Sequence, residues 1–387
     1  MLVAGIWRVE VDEFSTIKKK IYSIYSVIIQ IICTSPIVSA TLYVPMLFNI
    51  NRVADAISNI GIVVFFGMVI AKMMMCQTKP IINLLEVALR TEFRMGLVDA
   101  EVEAIYESHI NLDNGFITLL FAWAILMGLC VASFGDVNCY MYFKQNSNVT
   151  EKPVLVNYWY PFDINKHYAV IMIDQNIRPT VASLCVFVVN SFVNCIIIFV
   201  RLQLKLLQHS FRNFDKLCLE SGQSEGGNVL MMLCVEHQKL IEYVQDLNES
   251  FKTITLLEYM VSSVSFAAQI FQITAGVRPY LATIILCYTI LQLFIFAWSS
   301  NEVIIQSEEL ARALFESDWF VQDVRTQALV HIMMLRCQKP LSLKIARFGV
   351  MDLDVAISVN LPNHFNQLCA SSNLKKDFYL LLSIALF

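Results

Sequence analysis

Charge-free apolar stretches recur along the chain at a length set by a lipid bilayer. A crossing helix needs about 20 mostly apolar residues, and a charge at mid-bilayer costs about 2.5–3.5 kcal/mol on insertion scales. Six stretches meet that requirement, at about residues 21–50, 56–75, 114–135, 168–200, 257–277 and 279–300. Lys72 stands near the end of the second, where its long stem can snorkel to the interface; otherwise the cores of the spans carry almost no charge. A seventh span is expected after residue 352. However, Lys344, Arg347, Asp352 and Asp354 interrupt its start, and Asn360, Pro362, Asn363, His364 and Asn366 interrupt its continuation. The terminal run 378–387 is ten residues long, too short to cross alone. The pattern predicts an all-α polytopic membrane helix bundle, a single unit over residues 1–387, with an atypical seventh span.

Two polar stretches are periodic rather than irregular. Leu230, Leu233, Leu240, Ile241, Val244, Leu247 and Phe251 recur at spacings of three, four and seven, which predicts an amphipathic helix from Asn228 into the fifth span, punctuated by Gly226 and Gly227. Beyond the sixth span, Val303, Ile304, Leu310, Leu314, Phe315 and Leu329 predict one further long helix, ended by Pro340. Helices continuing this far past a bilayer need surfaces to pack against.

Lys and Arg set the orientation. With Lys72 counted, 18 lie on the side of the N-terminus and 6 in the opposite loops, so the N-terminus is expected in the cytoplasm. The sequon Asn148-Val149-Thr150 then faces outward, making Asn148 a candidate glycan acceptor, whereas Asn248-Glu249-Ser250 matches the same pattern on the cytoplasmic side. Glu10, Asp12 and Glu13 precede a first apolar run too long for a cleaved leader, so the first span is expected to serve as its own signal.

Composition closes off other classes. The chain is 57% apolar and 16% charged with mean hydropathy +0.59, against about 45–50% and about 25% in soluble domains. A net charge of -4 with dispersed Lys and Arg offers nothing to nucleic acid. Eleven cysteines without a Cys-x-x-Cys pair make neither a disulfide framework nor a zinc site. Phosphate-loop, zinc-protease, nucleophile-elbow and calcium-loop motifs are absent, so neither an enzyme nor a bound cofactor or metal is expected. Cys234 with His237 reads as an ordinary helix face, and Asp352 with Asp354 as a solvated or pore-mouth pair.

The spans offer aromatic and soft side chains with occasional polar tips, the usual lining of a small-molecule pocket. Candidate ligand-binding residues are Phe65, Phe66, Trp123, Met127, Tyr168, Met172, Phe266 and Tyr280, with Gln175, Gln269 and Tyr288 among the polar tips.

Several short segments, in this order, resemble the insect odorant receptor family. They are Tyr160-Pro161-Phe162-Asp163, Glu236-His237-Gln238-Lys239-Leu240 with Leu247-Asn248, Ser300-Asn301-Glu302 through Ser307-Glu308 to Glu316-Ser317-Asp318-Trp319, and Met334-Leu335-Arg336-Cys337-Gln338-Lys339-Pro340-Leu341 with Phe348-Gly349. Together they cover about residues 5–358. The resemblance implies a seven-helix, N-terminus-inside subunit of a ligand-gated cation channel, assembled as a hetero-tetramer with the odorant co-receptor in the plasma membrane of olfactory neuron dendrites. It implies a small hydrophobic odorant as ligand, a pocket among spans two to six, and subunit contacts through Glu316, Asp318, Trp319, Gln338, Lys339 and Pro340. A gustatory receptor is disfavoured by the Glu316–Trp319 segment. A G-protein-coupled receptor is disfavoured by the charge bias, and a transporter by the lack of an internal repeat.

After Ser358 the chain departs from the family pattern. Pro362 removes a backbone donor in the only window long enough to span, at a cost of about 3 kcal/mol or more. This tail is expected to stay out of the bilayer core and to leave this form poorly conducting. Topology is checked by glycan mapping: a membrane-inserted product should carry glycan at Asn148 and none at Asn248, and the reverse pattern would refute the assigned orientation.

Overall fold

The computed structural model describes residues 16–95, 100–145, 154, 156–214, 217, 226–274, 276, 279–345 and 349–350. Asn148 and the segment after Ser358 lie outside the described residues. Among the described residues, eight α-helices follow one another: α1 (Thr16–Asn49), α2 (Val53–Met75), α3 (Lys79–Met95), α4 (Ala100–Gln145), α5 (Tyr168–Arg212), α6 (Gly226–Thr274), α7 (Pro279–Glu316) and α8 (Val324–Cys337). A two-stranded antiparallel hairpin closes the described chain, with β1 (Lys344–Ile345) on β2 (Gly349–Val350).

Among the described residues, four helices are long and apolar enough to cross a membrane, on α1, α5, α6 and α7. A fifth arises if α2 and α3, bent by 62° across a short break, count as one. The expected third span falls on α4, where Ile117–Leu126 is apolar. Apolar side chains face outward on the spans: on α1, Ile24, Ile31, Val38 and Leu42 are each at least half exposed. Such a surface suits hydrocarbon, where every backbone polar group must find its partner within the protein. Pro36, inside α1, cannot donate to the Ile32 carbonyl, and the Ser35 hydroxyl donates to that carbonyl instead, at 3.2 Å. Asn51 ends the helix at φ 60°, a left-handed conformation that Asn tolerates better than most residues.

Contacts group the chain into two compact units, and α4, α5, α6 and α7 contribute residues to both. The first comprises residues 1–78, 116–192 and 257–292. Its buried apolar side chains include Leu47, Val69, Ala124, Ile171, Val189 and Ala282.

The second comprises residues 79–115, 193–256 and 293–387. The predicted amphipathic helix is the N-terminal part of α6, which buries Leu230, Leu233, Leu240, Ile241, Val244, Leu247 and Phe251. Ile81, Leu84 and Ala88 of α3 bury at the same spacing, and the Tyr243 hydroxyl donates to the Leu84 carbonyl at 3.2 Å. Gly227 lets α6 approach α8 closely, since a Cβ there would lie 3.3 Å from Thr326 Oγ1. Asn248 bridges to the hairpin: its Nδ2 donates to the Ser342 carbonyl at 3.0 Å and its Oδ1 accepts from Lys344 N at 2.9 Å.

The single long helix predicted after the sixth span is two. The first ends at Glu316 and α8 begins at Val324, separated by a one-turn helix at Trp319–Val321. Local polar chemistry makes the break. The Ser317 hydroxyl takes the Leu314 carbonyl at 2.7 Å, and Asp323 caps α8 by accepting from Arg325 N at 3.1 Å and Thr326 N at 3.4 Å. Phe315, counted as an apolar position of that helix, is 68% exposed.

His237 is buried on α6, and burial, with the Arg336 charge nearby, pushes its imidazole down to about 4. The folded unit therefore holds it neutral, while the unfolded chain takes up a proton below its ordinary value of about 6.5. Stability present above pH 6.5 should fall by on the order of 3 kcal/mol by pH 4. Thermal unfolding of the solubilised protein across that range should show this loss, and His237→Gln should flatten it.

Candidate ligand cavity

The first unit encloses a cavity of about 220 Å³. Helix α2 supplies Gly61, Ile62, Phe65, Phe66 and Met68; α5 supplies Pro179, Ala182, Ser183 and Val186. The α6 wall repeats at helical spacing as Glu258, Ser262, Ser265, Gln269 and Gln272, and α7 faces it with Ile285, Tyr288, Thr289 and Gln292. Gly128 brings α4 close to α5, since a Cβ there would stand 3.3 Å from the Ser183 hydroxyl.

The segment carrying Val156 and Tyr158 closes the lining and is strapped by side chains. Gln175 Nε2 donates to the Val156 carbonyl at 2.8 Å, Asn59 Nδ2 to the Asn157 carbonyl at 2.6 Å, and Trp159 N to the Ser39 carbonyl at 3.0 Å. Arg178 lies 5.1 Å from the Tyr158 ring centroid while its Nε bonds Asp174 Oδ1 at 2.8 Å, and the Tyr160 hydroxyl donates to Asp174 Oδ2 at 2.9 Å. Burial raises the phenol pKa of both Tyr158 and Tyr160, and both stay protonated donors.

Toward the other end of the α6 wall stands a buried charge pair. Lys72 does not snorkel: it is 3% exposed and its ammonium pairs with the Glu258 carboxylate, itself 5% exposed. Asn190 Oδ1 accepts a second Lys72 bond at 3.1 Å, and Gln292 donates to the remaining Glu258 oxygen. The spans are therefore not free of charge: Lys72 and Glu258 are buried together, each serving as the other's counter-charge.

Of the sequence-derived candidates, Phe65 and Phe66 line the cavity as an edge-to-face pair with centroids 5.8 Å apart. The polar tips Gln269 and Tyr288 line it too, whereas Gln175 acts on the strap. Trp123, Tyr168 and Met172 are half-buried away from the lining. Phe266 is buried one residue, about 100° of helix, from Ser265. Tyr280 is 73% exposed in the first turn of α7, before the lining begins. The side chain of Met127, next to Gly128, lies outside the described residues. Sequence reasoning missed Glu258, Ser262, Ser265 and Gln292; the 3-4 spacing of polar residues on α6 was the available signal.

The family profile described as 7tm Odorant receptor matches residues 52–360. The chain belongs to that family. The receptor is 25% identical over 200 residues to Odorant receptor 30a of Drosophila melanogaster, covering 50% of this chain and 51% of that one. It is 27% identical over 127 residues to the odorant receptor coreceptor of Anopheles gambiae, covering 32% and 27%. The receptor thus spans about half the length, or less, of the curated relatives it matches. Its fold matches the structure of the insect olfactory receptor OR5 from Machilis hrabei in complex with eugenol, with TM-score 0.73 and 18% identity over 99% of this chain and 95% of that one. The receptor is accordingly a multi-pass helical membrane protein of an odorant receptor family, not a member of an enzyme family.

Breaking the charge pair on one side should cost about 3–5 kcal/mol, because it strands a buried charge. Glu258→Ala and Lys72→Ala should each reduce folded receptor recovered from membranes, whereas Lys72→Met with Glu258→Leu should recover most of it. Fluorescence size-exclusion profiles of the three variants measure this.

Proposed function

We propose that the receptor binds one small, neutral, largely apolar odorant in the α2–α5–α6–α7 cavity and thereby gates cation flow in an assembly with odorant co-receptor subunits. The carrying observation is the cavity itself. Its 220 Å³ exceeds the roughly 150 Å³ apolar cavity that admits benzene, and Phe65, Phe66, Met68 and Val186 supply contact area while a few polar groups orient the ligand. A solved structural relative holds eugenol, a molecule of that size and character. Opening follows only from a higher ligand affinity for the open state than for the closed one.

Assembly is assigned to the second unit. Gln338, Lys339 and Pro340 are exposed past the C-terminal end of α8, and Glu316 and Asp318 are exposed beside the half-buried Trp319, whose ring meets His331 edge-on at 5.0 Å. Phe320, Val321 and Val324 are 64%, 72% and 81% exposed beside them. An exposed apolar patch with a polar rim suits a subunit contact, and likeness to co-receptor sequences supports a hetero-tetramer. The site of action is the plasma membrane of olfactory dendrites, with Asn148 on the outer face.

Phe65→Ala and Phe66→Ala should each raise the half-maximal odorant concentration about tenfold, equivalent to about 1.4 kcal/mol of lost contact, without reducing surface delivery. Tyr280→Ala should leave it unchanged. Currents from cells co-expressing the co-receptor report both, and unaltered sensitivity of the two Phe variants would remove the cavity from consideration.

A further inference from the structure

One acceptor in the cavity wall is left without a donor, and this points to a class of ligand. Gln269 presents a carbonyl oxygen, Oε1, that is buried without a hydrogen-bond partner. A buried acceptor left without a donor carries a desolvation penalty that a ligand donor can relieve. Glu258 lines the same cavity eleven residues earlier on α6, about 16 Å along the axis. Its two oxygens already accept from Lys72 and Gln292, yet a carboxylate has about four acceptor sites. Glu258 and Gln269 therefore both offer acceptors along the α6 wall. The Ser262, Ser265, Tyr288 and Thr289 hydroxyls and the Gln272 amide can donate or accept and favour neither kind of guest.

Charge narrows the class further. Lys72 neutralises Glu258 from within the protein, so a cationic amine finds no free counter-charge and a ligand carboxylate meets an existing one. An ester, ether or ketone brings no hydrogen-bond donor to the Gln269 oxygen. We propose that the cavity selects neutral odorants carrying an O–H donor, alcohols and phenols, over matched ethers and ketones, with Gln269 as the accepting, specificity-determining residue. This rests on the reading of the cavity as the odorant site.

The test is a set of skeleton-matched ligands applied to the full receptor with its co-receptor: six- to eight-carbon alcohols with their methyl ethers and ketones, and monocyclic phenols with their methyl ethers. On each activating skeleton the hydroxyl compound should act at a concentration about tenfold or more below its partners, since a site that hydrogen-bonds a hydroxyl discriminates strongly against analogues lacking it. Gln269→Leu should narrow that ratio to within about threefold by weakening the hydroxyl compound more than its partners. Surface labelling of the variant and its co-purification with the co-receptor show that it folds and assembles. Equal potency within pairs, a preference for ethers or ketones, silence of all hydroxyl compounds, or a hydroxyl preference surviving Gln269→Leu would each overturn the inference. If potency falls in Phe66→Ala while pairs remain equal, only the donor rule fails; if neither Phe65→Ala nor Phe66→Ala moves any ligand, the cavity reading fails as well.

Discussion

A lysine and a glutamate buried within a lipid-spanning unit constrain everything around them. Neither charge is tolerable alone at that depth, so α2 must present Lys72 at the level where α6 presents Glu258. Asn190 and Gln292 complete the bonding and thereby fix α5 and α7 to the same level. Apolar packing in a membrane is weakly specific, because lipid tails compete equally well for the same side chains. A polar node drawn from four helices supplies the register that hydrophobicity cannot. With that register set, the same four helices can diverge around an unfilled space without losing their alignment.

The opposite end of the α6 wall is organised differently. There the chain leaves helical structure at residues 156–162, where the Val156 and Asn157 carbonyls accept from the Gln175 side chain of α5 and the Asn59 side chain of α2, and Trp159 N donates to the Ser39 carbonyl of α1. Tyr158 is held rigidly by this strap and by Arg178. The cavity is thus bounded by a charged node toward one end and a hydrogen-bonded strap toward the other, with aromatic and aliphatic walls between them. Rigid ends and compliant walls suit recognition of guests that differ in shape more than in polar pattern.

Much of this was legible in the chain. Charge-free runs marked stretches that fall on α1, α5, α6 and α7, the four described helices long and apolar enough to cross a membrane, and 3-4 periodicity marked the N-terminal part of α6, because a bilayer and an amphipathic face each leave a one-dimensional trace. Phe65, Phe66, Gln269 and Tyr288 were recognisable as lining chemistry. Lys72 misled because one sequence position does not reveal a partner 186 residues away. Trp123, Tyr168, Met172, Phe266 and Tyr280 have suitable chemistry, but helical phase and depth, set by packing between helices, place them off the lining. The break at residues 317–323 was concealed by apolar residues that continue across it, while the polar residues making it, Ser317 and Asp323, act through local backbone bonds.

Asn248 illustrates what a folded environment does to a sequence pattern. The amide that matches a sugar-acceptor motif instead grips the chain beyond Pro340 from two sides, giving a proton to Ser342 and taking one from Lys344. Aspartate would keep the acceptor and lose the donor, leucine would lose both, and glutamine would carry the pair one methylene too far out. The position therefore has almost no mutational freedom, although its surroundings are only half-buried. Tolerance to substitution here is set by the number of functions that one side chain performs at once, and depth of burial alone would rank the site far too permissively.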